Sequence, residues 1–168
     1  MLDLIVQGEI CYAVDVPTAP DHLALDRQLC FALYAAHRSV MQTYGPLLGE
    51  LGLTYPQYVT MLVLWEAPDE PMTVGEIGRR LRLDTGTLTP LLKRLEALGH
   101  VRRSRDTADE RRVLVELTDS GRALHDRAAP IPGRLVRQTG LSVSEVDELR
   151  ARLVGLIEQL DESAAGHT

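Results

Sequence analysis

The middle of the chain contains two short amphipathic segments that follow each other almost without a linker. Thr73 begins the first segment with a capping box to Glu76, and Asp84 can cap the second segment soon after the first one ends. The second segment stops at Gly99, a typical helix terminator. Two helices joined so tightly predict a helix-turn-helix, with a local irregularity where Pro90 removes a backbone donor. The second segment carries a leucine stripe that consists of Leu88, Leu91, Leu92, Leu95 and Leu98.

The residues after this pair of helices predict a β-hairpin. Residues 101–105 and 112–117 have strand character, and the polar residues 106–111 form the tip between them. A further capping box, which starts at Thr54, begins the helix that precedes the pair. Helix, helix-turn-helix and hairpin in this order predict a winged helix over about residues 54–118. The expected fold class is mostly α, with a small β-hairpin as the wing.

Helical periodicity also extends to the N-terminal side of this module. One long helix is predicted from a cap at Asp21 to Tyr44, and a short helix follows over residues 46–51. We expect residues 1–20 to form a loosely ordered arm and residues 21–168 to form a single domain.

Two further helices are predicted after the wing. The first begins at Thr118 and is broken by Pro130 and Pro132, and the second begins at a capping box that starts at Ser142. The last helix carries a near-heptad apolar stripe, which packs either on a partner chain or on the first helix. The helices over about residues 21–52 and 119–162 are therefore expected to form a dimerisation region. The stripe consists of Val146, Leu149, Leu153, Leu156 and Leu160.

Charge is unevenly distributed along the chain. The formal net charge is -6, which by itself disfavours binding to a polyanion. Residues 79–112, however, hold ten basic residues against five acidic ones, a balance of +5 that leaves -11 for the remainder. A basic segment on an acidic body is typical of a protein with one surface that meets phosphates. A solvent-exposed face laced with salt bridges would give the same balance.

Several classes of protein are disfavoured by the sequence. No apolar run is long enough to span a bilayer and residues 1–10 lack the features of a secretory signal, so we expect a cytoplasmic protein without a membrane partner. The two cysteines, Cys11 and Cys30, provide neither a disulfide framework nor a zinc site. The sequence shows no Ser/His/Asp order, no paired-carboxylate site and no phosphate loop. We therefore expect no metal, no cofactor and no enzymatic activity.

Two motifs in this order of elements resemble the MarR family of winged-helix transcription regulators: Leu117-Thr-Asp-Ser-Gly121 after the wing and Asp109-Glu-Arg111 at its tip. The resemblance covers roughly residues 23–162. It implies a homodimeric repressor whose reduced form binds an inverted-repeat operator in double-stranded DNA and whose oxidised form releases it. Four segments are similar to the organic hydroperoxide-sensing branch, OhrR: LCFALY at 29–34, LTYPQY at 53–58, LWE at 64–66 and LDTGTLTPLLKR at 83–94.

Cys30 is the residue that the resemblance implies as the sensor. Tyr34, one turn further on, can cover the same patch as Cys30 and is a candidate residue of the redox site. A lone cysteine on an apolar helix face is usually a small core residue, however, and Cys30 and Tyr34 could also be a plain core pair. Tyr44 lies about 21 Å from Cys30 along the helix, at about 1.5 Å of rise per residue, so it cannot reach the thiol of its own chain. The resemblance implies that the partner's Tyr44 and the partner's Tyr55 hydrogen-bond the Cys30 thiolate. Such donors favour the charged sulfur and lower the pKa of the thiol.

The resemblance also implies the chemistry of sensing. The thiolate attacks an organic hydroperoxide and becomes a sulfenic acid, which a second thiol or a backbone nitrogen then traps. The chain has no cysteine after Cys30, so it resembles the one-cysteine type, which forms a mixed disulfide with a small thiol. Cys11 departs from this pattern and is either a resolving partner on the arm or a bystander. Residues of the type of Phe31, Leu33 and Met61 would form an apolar pocket that favours organic peroxides.

Candidate DNA-binding residues lie on the second helix of the helix-turn-helix and on the wing. At the start of that helix, threonine hydroxyls can meet phosphates or bases and threonine methyls can pack on thymine, although Thr85 could instead be a simple cap. By the resemblance, Arg111 at the wing tip is a minor-groove arginine and Asp109 is its supporting carboxylate. Arg105 is a phosphate contact or a solvated charge. The candidates on the helix are Thr85, Thr87, Thr89, Lys93 and Arg94.

Two other functions remain open at this point. A MarR-type repressor that is released by a non-covalent phenolic or other small ligand would share every DNA-side feature. Only Cys30 and its tyrosines discriminate against it in the sequence. A thiol peroxidase would use the same cysteine, but it would need a resolving system and would have no use for a basic winged helix.

Overall fold

The structure is a computed structural model, and it describes residues 23–166. The predicted arm over residues 1–20, which includes Cys11, lies outside the described residues. The chain divides between Ser39 and Val40 into two compact units. The single domain expected over residues 21–168 stays a prediction.

The first unit contains a short 3₁₀ helix, Leu25–Arg27, and the N-terminal part of helix α1 (Leu29–Gly49). None of its described side chains is buried. The long helix begins at Leu29, later than the predicted start at Asp21, because the chain first forms the 3₁₀ helix and an extended residue, Gln28.

The second unit contains the end of α1 followed by nine further helices and strands among its described residues. Three antiparallel strands form one sheet in the order β1-β3-β2, with Val101 opposite Leu117 and Met72 opposite Val115. The elements are α2 (Tyr55–Trp65), β1 (Met72–Thr73), α3 (Val74–Leu81), α4 (Thr85–Ala97), β2 (Val101–Arg105), β3 (Val113–Leu117), α5 (Asp119–Ala128), α6 (Ile131–Thr139) and α7 (Val143–Ala165).

The predicted helix starts are confirmed by their capping bonds. The backbone N–H of Thr54 donates to Gln57 Oε1 at 2.8 Å, and that of Thr73 donates to Glu76 Oε2 at 2.8 Å. The backbone N–H of Ser142 donates to Glu145 in the same way, at 2.8 Å. Each box satisfies backbone donors that the first turn of a helix leaves without an intrahelical partner.

The turn between α3 and α4 is tight, as the sequence predicts. Arg82 ends α3 with a left-handed backbone, φ 55°, and is the one non-glycine residue with a positive φ in the described part of the chain. Its guanidinium donates to Asp161 of α7 at 2.7 Å. The N–H of Leu83 then bonds the carbonyl of Gly78 at 2.9 Å, where a Cβ on the glycine would lie 2.8 Å from the Leu83 oxygen. The close approach of the two helices therefore requires glycine at position 78.

The core of the second unit lies between the helix-turn-helix, α2 and the sheet. Leu88, Leu92 and Leu95 of α4 have no exposed surface, and Val101 and Val115 of the sheet pack in the same cluster. Leu98, which the stripe includes, is 47% exposed because it is the C-cap of α4 rather than part of its buried face.

Prolines caused most of the errors in the predicted helix boundaries. The helix α1 does not end before Pro46 but continues to Gly49, because Leu47 and Leu48 are almost fully buried and stabilise the last turn. The helix α4 runs unbroken through Pro90, against the predicted irregularity. The helix α6 was not predicted. Pro132 lies in its first turn, where backbone N–H groups make no intrahelical hydrogen bond, so the proline does not break the helix.

Strand β1 was not predicted either. It is only two residues long, so no alternation could indicate it, and it pairs with the edge of β3 that the hairpin leaves open. The described helices include none that combines the length and apolar character needed to cross a membrane.

Gly121 in the first turn of α5 is expected to tolerate no side chain. A Cβ at Gly121 would lie 2.0 Å from the carbonyl oxygen of His100, so Gly121→Ala should lower the free energy of unfolding by about 3 kcal/mol or more. Urea denaturation at fixed protein concentration measures the change. Gly75→Ala is the matched control, since Gly75 is helical and has nothing within 4 Å of its Cβ position. A similar loss for both variants would contradict the steric argument.

Candidate nucleic-acid interface and thiol site

The first turns of α4 carry three threonines beside a capped helix end. Asp84 Oδ1 accepts from the Thr87 N–H, and Asp84 Oδ2 accepts from the Thr87 hydroxyl, both at 2.8 Å. The Thr89 hydroxyl donates to the Thr85 carbonyl at 2.7 Å. These bonds to Thr87 hold the pKa of Asp84 below its ordinary value. Asp84 is therefore the cap, and within residues 23–166 the exposed Thr85 hydroxyl has no hydrogen-bond partner.

A groove of about 330 Å³ lies between the start of α4 and the wing. Thr85 and Thr89 line it from the helix, and Arg111 lines it from the wing tip. The fold thus brings Arg111 of the wing to the same groove as two of the predicted DNA-binding threonines of α4.

The other candidates on α4 lie outside that groove. Thr87 and Arg94 line a second groove of about 210 Å³ together with Pro56 and Gln57. Lys93 is exposed on α4 and lines neither groove.

The wing tip holds Arg111 through its backbone. The N–H of Arg111 donates to Asp109 Oδ1 at 3.1 Å, and the N–H of Arg112 donates to the Asp109 carbonyl at 2.9 Å. Asp109 therefore orders the turn under Arg111 and does not pair with its guanidinium. In the described part of the chain, the exposed Arg111 and Arg105 make no ion pair.

Other wing arginines are paired within the protein. Arg103 is held most firmly, because its Nε and Nη2 donate to Glu96 Oε2 at 2.9 and 2.7 Å and its backbone N–H donates to Glu96 Oε1 at 3.0 Å. Arg102 pairs with Glu116 on the neighbouring strand at 3.0 Å. Glu96 thus ties α4 to β2, a role that spacing in the sequence does not reveal.

Cys30 is a free and exposed thiol in the first unit. Tyr34, one turn later, is 55% exposed, and its hydroxyl accepts from Arg38 Nη1 at 3.1 Å. The Arg38 guanidinium also lies over the Tyr34 ring, 5.7 Å from the centroid. Neither Cys30 nor Tyr34 is buried within the described part of the single chain.

Tyr44 and Tyr55 lie side by side in the second unit, with ring centroids 5.0 Å apart. The ring of Tyr58 is 5.9 Å from that of Tyr44. Burial, with a smaller contribution from the neighbouring phenols Tyr58 and Tyr55, raises the pKa of Tyr44 to about 12, and burial also raises the pKa of Tyr58. Tyr44 therefore keeps its proton at neutral pH and can act as a hydrogen-bond donor.

The remaining expectations for the thiol site are partly corrected. Met61 has no exposed surface and belongs to the core of the second unit, so it cannot line an open apolar pocket. Phe31 and Leu33 are 39% and 37% exposed in the first unit. Between residues 23 and 166 no group of three His, Cys, Asp or Glu side chains is arranged to hold a metal ion.

Known relatives of the chain point to one family. A sequence profile of the SarA/Rot transcriptional regulators matches residues 42–128. The HTH-type transcriptional regulator TtmR of Methylorubrum extorquens is 51% identical over 150 residues, which cover 88% of this chain and 74% of TtmR. The chain belongs to the MarR-like family of winged-helix transcription regulators.

One relative indicates the branch of the MarR-like family. The organic hydroperoxide resistance transcriptional regulator of Bacillus subtilis is 45% identical over 140 residues, which cover 83% of this chain and 94% of that protein. This identity supports the organic hydroperoxide branch. The relatives of this MarR-like chain are transcription regulators and not enzymes.

Solved structures confirm the predicted fold class of this MarR-like regulator. Reduced AbfR bound to DNA matches with a TM-score of 0.72 and 35% identity, over 85% of this chain and 96% of AbfR. AbfR comes from Staphylococcus epidermidis. Its disulfide-formed structure matches with a TM-score of 0.57 and 36% identity, over 84% of this chain and 93% of AbfR.

The link between Glu96 and the wing should depend on pH. The side-chain and backbone hydrogen bonds from Arg103 hold the pKa of Glu96 below its ordinary value, so the stabilisation is complete at neutral pH and is lost as the pH falls through the lowered pKa. Wild type should therefore be more stable than Glu96→Gln at pH 7, and the difference should shrink below about pH 4.3. Unfolding curves over this pH range measure the difference.

Glu110→Gln is the control for the Glu96 variant, because Glu110 is an exposed wing-tip carboxylate without an ion pair to the described residues. It should leave the stability profile unchanged. If the difference in stability between wild type and Glu96→Gln does not vary with pH, the negative charge of Glu96 is not what stabilises the link to the wing.

Proposed function

We propose that the chain is a DNA-binding repressor that senses organic hydroperoxides by oxidation of Cys30 and then releases its operator. The observation that carries the proposal is the Tyr44–Tyr55 phenol pair, with ring centroids 5.0 Å apart, in a chain that also has an exposed free thiol. The identity to the Bacillus organic hydroperoxide regulator supports it. The alternative, a repressor released by a non-covalent ligand, makes no use of the thiol.

The proposed DNA-binding surface consists of the exposed side of α4, the groove between α4 and the wing, and the wing tip. Thr85, Thr87 and Thr89, with Lys93 and Arg94, would enter the major groove, since α4 is the second helix of the helix-turn-helix. The exposed Arg111 would enter the adjacent minor groove, and Arg105 would contact phosphate. The structure of AbfR on DNA supports this surface at the level of the fold.

A second copy of the chain is the proposed partner of α7. This helix has no buried residue, although large apolar side chains lie along it: Val143 is 70% exposed, Leu149 50% and Leu160 60%. Such a stripe on a terminal helix is stable when another helix covers it. A homodimer would also present two α4 helices to the two halves of an inverted repeat.

The proposed sensor forms across the two protomers. Cys30 of one protomer would meet the partner's Tyr44 and the partner's Tyr55, whose O–H groups donate to the thiolate and lower the pKa of the thiol. The thiolate sulfur attacks the distal peroxide oxygen, the O–O bond breaks, and the alkoxide takes up a proton and leaves as an alcohol. The resulting sulfenic acid reacts with a small thiol to give a mixed disulfide and water.

Cys30→Ser should bind the operator like wild type but should no longer be released by an organic hydroperoxide, because serine removes the nucleophilic sulfur with little change in volume. Tyr44→Phe and Tyr55→Phe should each slow oxidation, since a lost hydrogen bond to a charged group costs about 1.5–3 kcal/mol, or roughly one to two pKa units. Operator titrations with and without cumene hydroperoxide, together with mass spectrometry of Cys30, measure both effects. Normal peroxide-driven release of Cys30→Ser would leave the non-covalent ligand as the explanation.

Two controls define the roles of the partner protomer and of Cys11. In a mixed dimer with Cys30→Ser in one protomer and Tyr44→Phe in the other, the remaining thiol faces an intact phenol only if the site crosses protomers, and it should then oxidise at the wild-type rate. A slow thiol would mean that Tyr44 acts within its own chain. Cys11→Ser should leave release intact if a small thiol resolves the sulfenic acid.

Arg111→Ala should weaken operator binding most strongly on A·T-rich flanks, where a narrow minor groove attracts arginine. Arg105→Ala is the matched control. Loss of a phosphate contact should weaken binding equally on all flanks, and it should reduce the slope of log K against log salt concentration by about one. Fluorescence anisotropy on operators with A·T-rich and G·C-rich flanks, at several salt concentrations, measures both. An equal loss of affinity on every flank for Arg111→Ala would show that Arg111 contacts only phosphate.

A further inference from the structure

Tyr44 is the first ring of an aromatic row that runs through the second unit, away from the phenol pair. Its ring centroid is 5.9 Å from that of Tyr58, and the Tyr58 centroid is 6.5 Å from that of Trp65, edge to face. Tyr58 is only 1% exposed and Trp65 is half-buried, so the row lies within packed structure. Neither residue belongs to the proposed sensor or to the proposed DNA-binding surface.

The far end of the row is fixed to the start of α5 by a hydrogen bond. Trp65 Nε1 donates to the carbonyl of Gly121 at 2.9 Å. The ring of Trp65 also meets that of His125, one turn further along α5, edge to face with centroids 5.6 Å apart. The last ring of α2 is therefore attached to the first turns of α5.

The first turn of α5 in turn lies directly against the junction of α4 and β2. The Thr118 hydroxyl donates to the Gly99 carbonyl at 2.6 Å, and the Thr118 N–H donates to the His100 carbonyl at 3.1 Å. A Cβ on Gly121 would lie 2.0 Å from the same His100 oxygen. Because no free space separates α5 from this junction, a displacement of the Trp65 indole must either break its bond to Gly121 or move residues 99–100 with it.

We propose that Tyr58 and Trp65 are positioning residues. They connect the phenols of the proposed sensor to the junction of α4 and β2, where the proposed DNA-binding helix meets the wing. When oxidation of the sulfur displaces the Tyr44 ring, the close-packed row passes the displacement to Gly121 and changes how α4 and β2 are held. Packed interiors transmit such shifts because they switch between discrete arrangements instead of deforming gradually. This inference rests on the proposed function, since it needs Cys30 as the sensor.

Trp65 is the only tryptophan of the chain, so its fluorescence reports directly on the row. An organic hydroperoxide should change the Trp65 emission of the wild-type dimer at the same rate as it releases the operator. Cys30→Ser should show no change, because its row receives no displacement. An emission that stays constant while wild type oxidises and releases DNA would overturn the inference.

Substitutions separate transmission from sensing. Trp65→Phe keeps a ring but loses the donor to Gly121, and Tyr58→Leu removes a ring from the middle of the row. Both should bind the operator when reduced and should oxidise at Cys30 at the wild-type rate, but the ratio of oxidised to reduced dissociation constants should fall by about fivefold or more. Tyr58→Phe is the matched control, because it keeps the ring and should be released like wild type.

Mass spectrometry of Cys30 and operator titration are carried out on the same full-length samples. Trp65→Phe that is oxidised and released like wild type would overturn the inference, and so would a loss of binding in its reduced form or a slower oxidation of its Cys30. If Tyr58→Leu fails to fold, the comparison of Trp65→Phe with Tyr58→Phe still tests whether the aromatic row transmits the displacement. Failure of the proposed function has a different signature: wild type itself would not be released when Cys30 is oxidised.

Discussion

The burial of one face of α4 is the constraint on which the rest of the second unit depends. Leu88, Leu92 and Leu95 are fully buried, and burial of each contributes about 1.5–3 kcal/mol. The exposed ion pairs of the wing contribute at most about 1 kcal/mol each. The leucines therefore decide where α4 lies, and the sheet packs on the same core through Val101 and Val115. The bonds between Glu96 and Arg103 add a further link between α4 and β2.

Helix starts and the hairpin could be predicted because their signals are local. The capping boxes at Thr54, Thr73 and Ser142 each use residues within one turn, so they can be recognised without knowledge of the tertiary contacts. Helix ends at prolines could not be predicted in the same way. The continuation of α1 past Pro46 depends on the burial of the leucines that follow, which is a tertiary property. Strand β1 likewise exists only because β3 offers it an edge.

The residues of the candidate site also differ in whether the sequence could indicate them. Their position at the start of α4 selected Thr85 and Thr89, and the family resemblance selected Arg111; the fold brings all three to one groove. The sequence could not indicate that Met61 is buried, because its neighbours come from other elements. The same holds for Trp65, whose bond partner Gly121 lies 56 residues away. The clustering of Tyr55, Tyr58 and Trp65 at helical spacing was the one available signal for the aromatic row.

If α4 enters the major groove as proposed, the capping of its first turn limits the bases that it can distinguish. The hydroxyl hydrogens of Thr87 and Thr89 are already committed, one to Asp84 and the other to the Thr85 carbonyl. Toward a base edge these two oxygens offer only lone pairs, which suit the amino groups of adenine and cytosine and not the acceptors O6 and N7 of guanine. Thr85 alone of the three keeps a hydrogen to donate. The start of the helix therefore has a donor and acceptor polarity that is fixed before any DNA is bound.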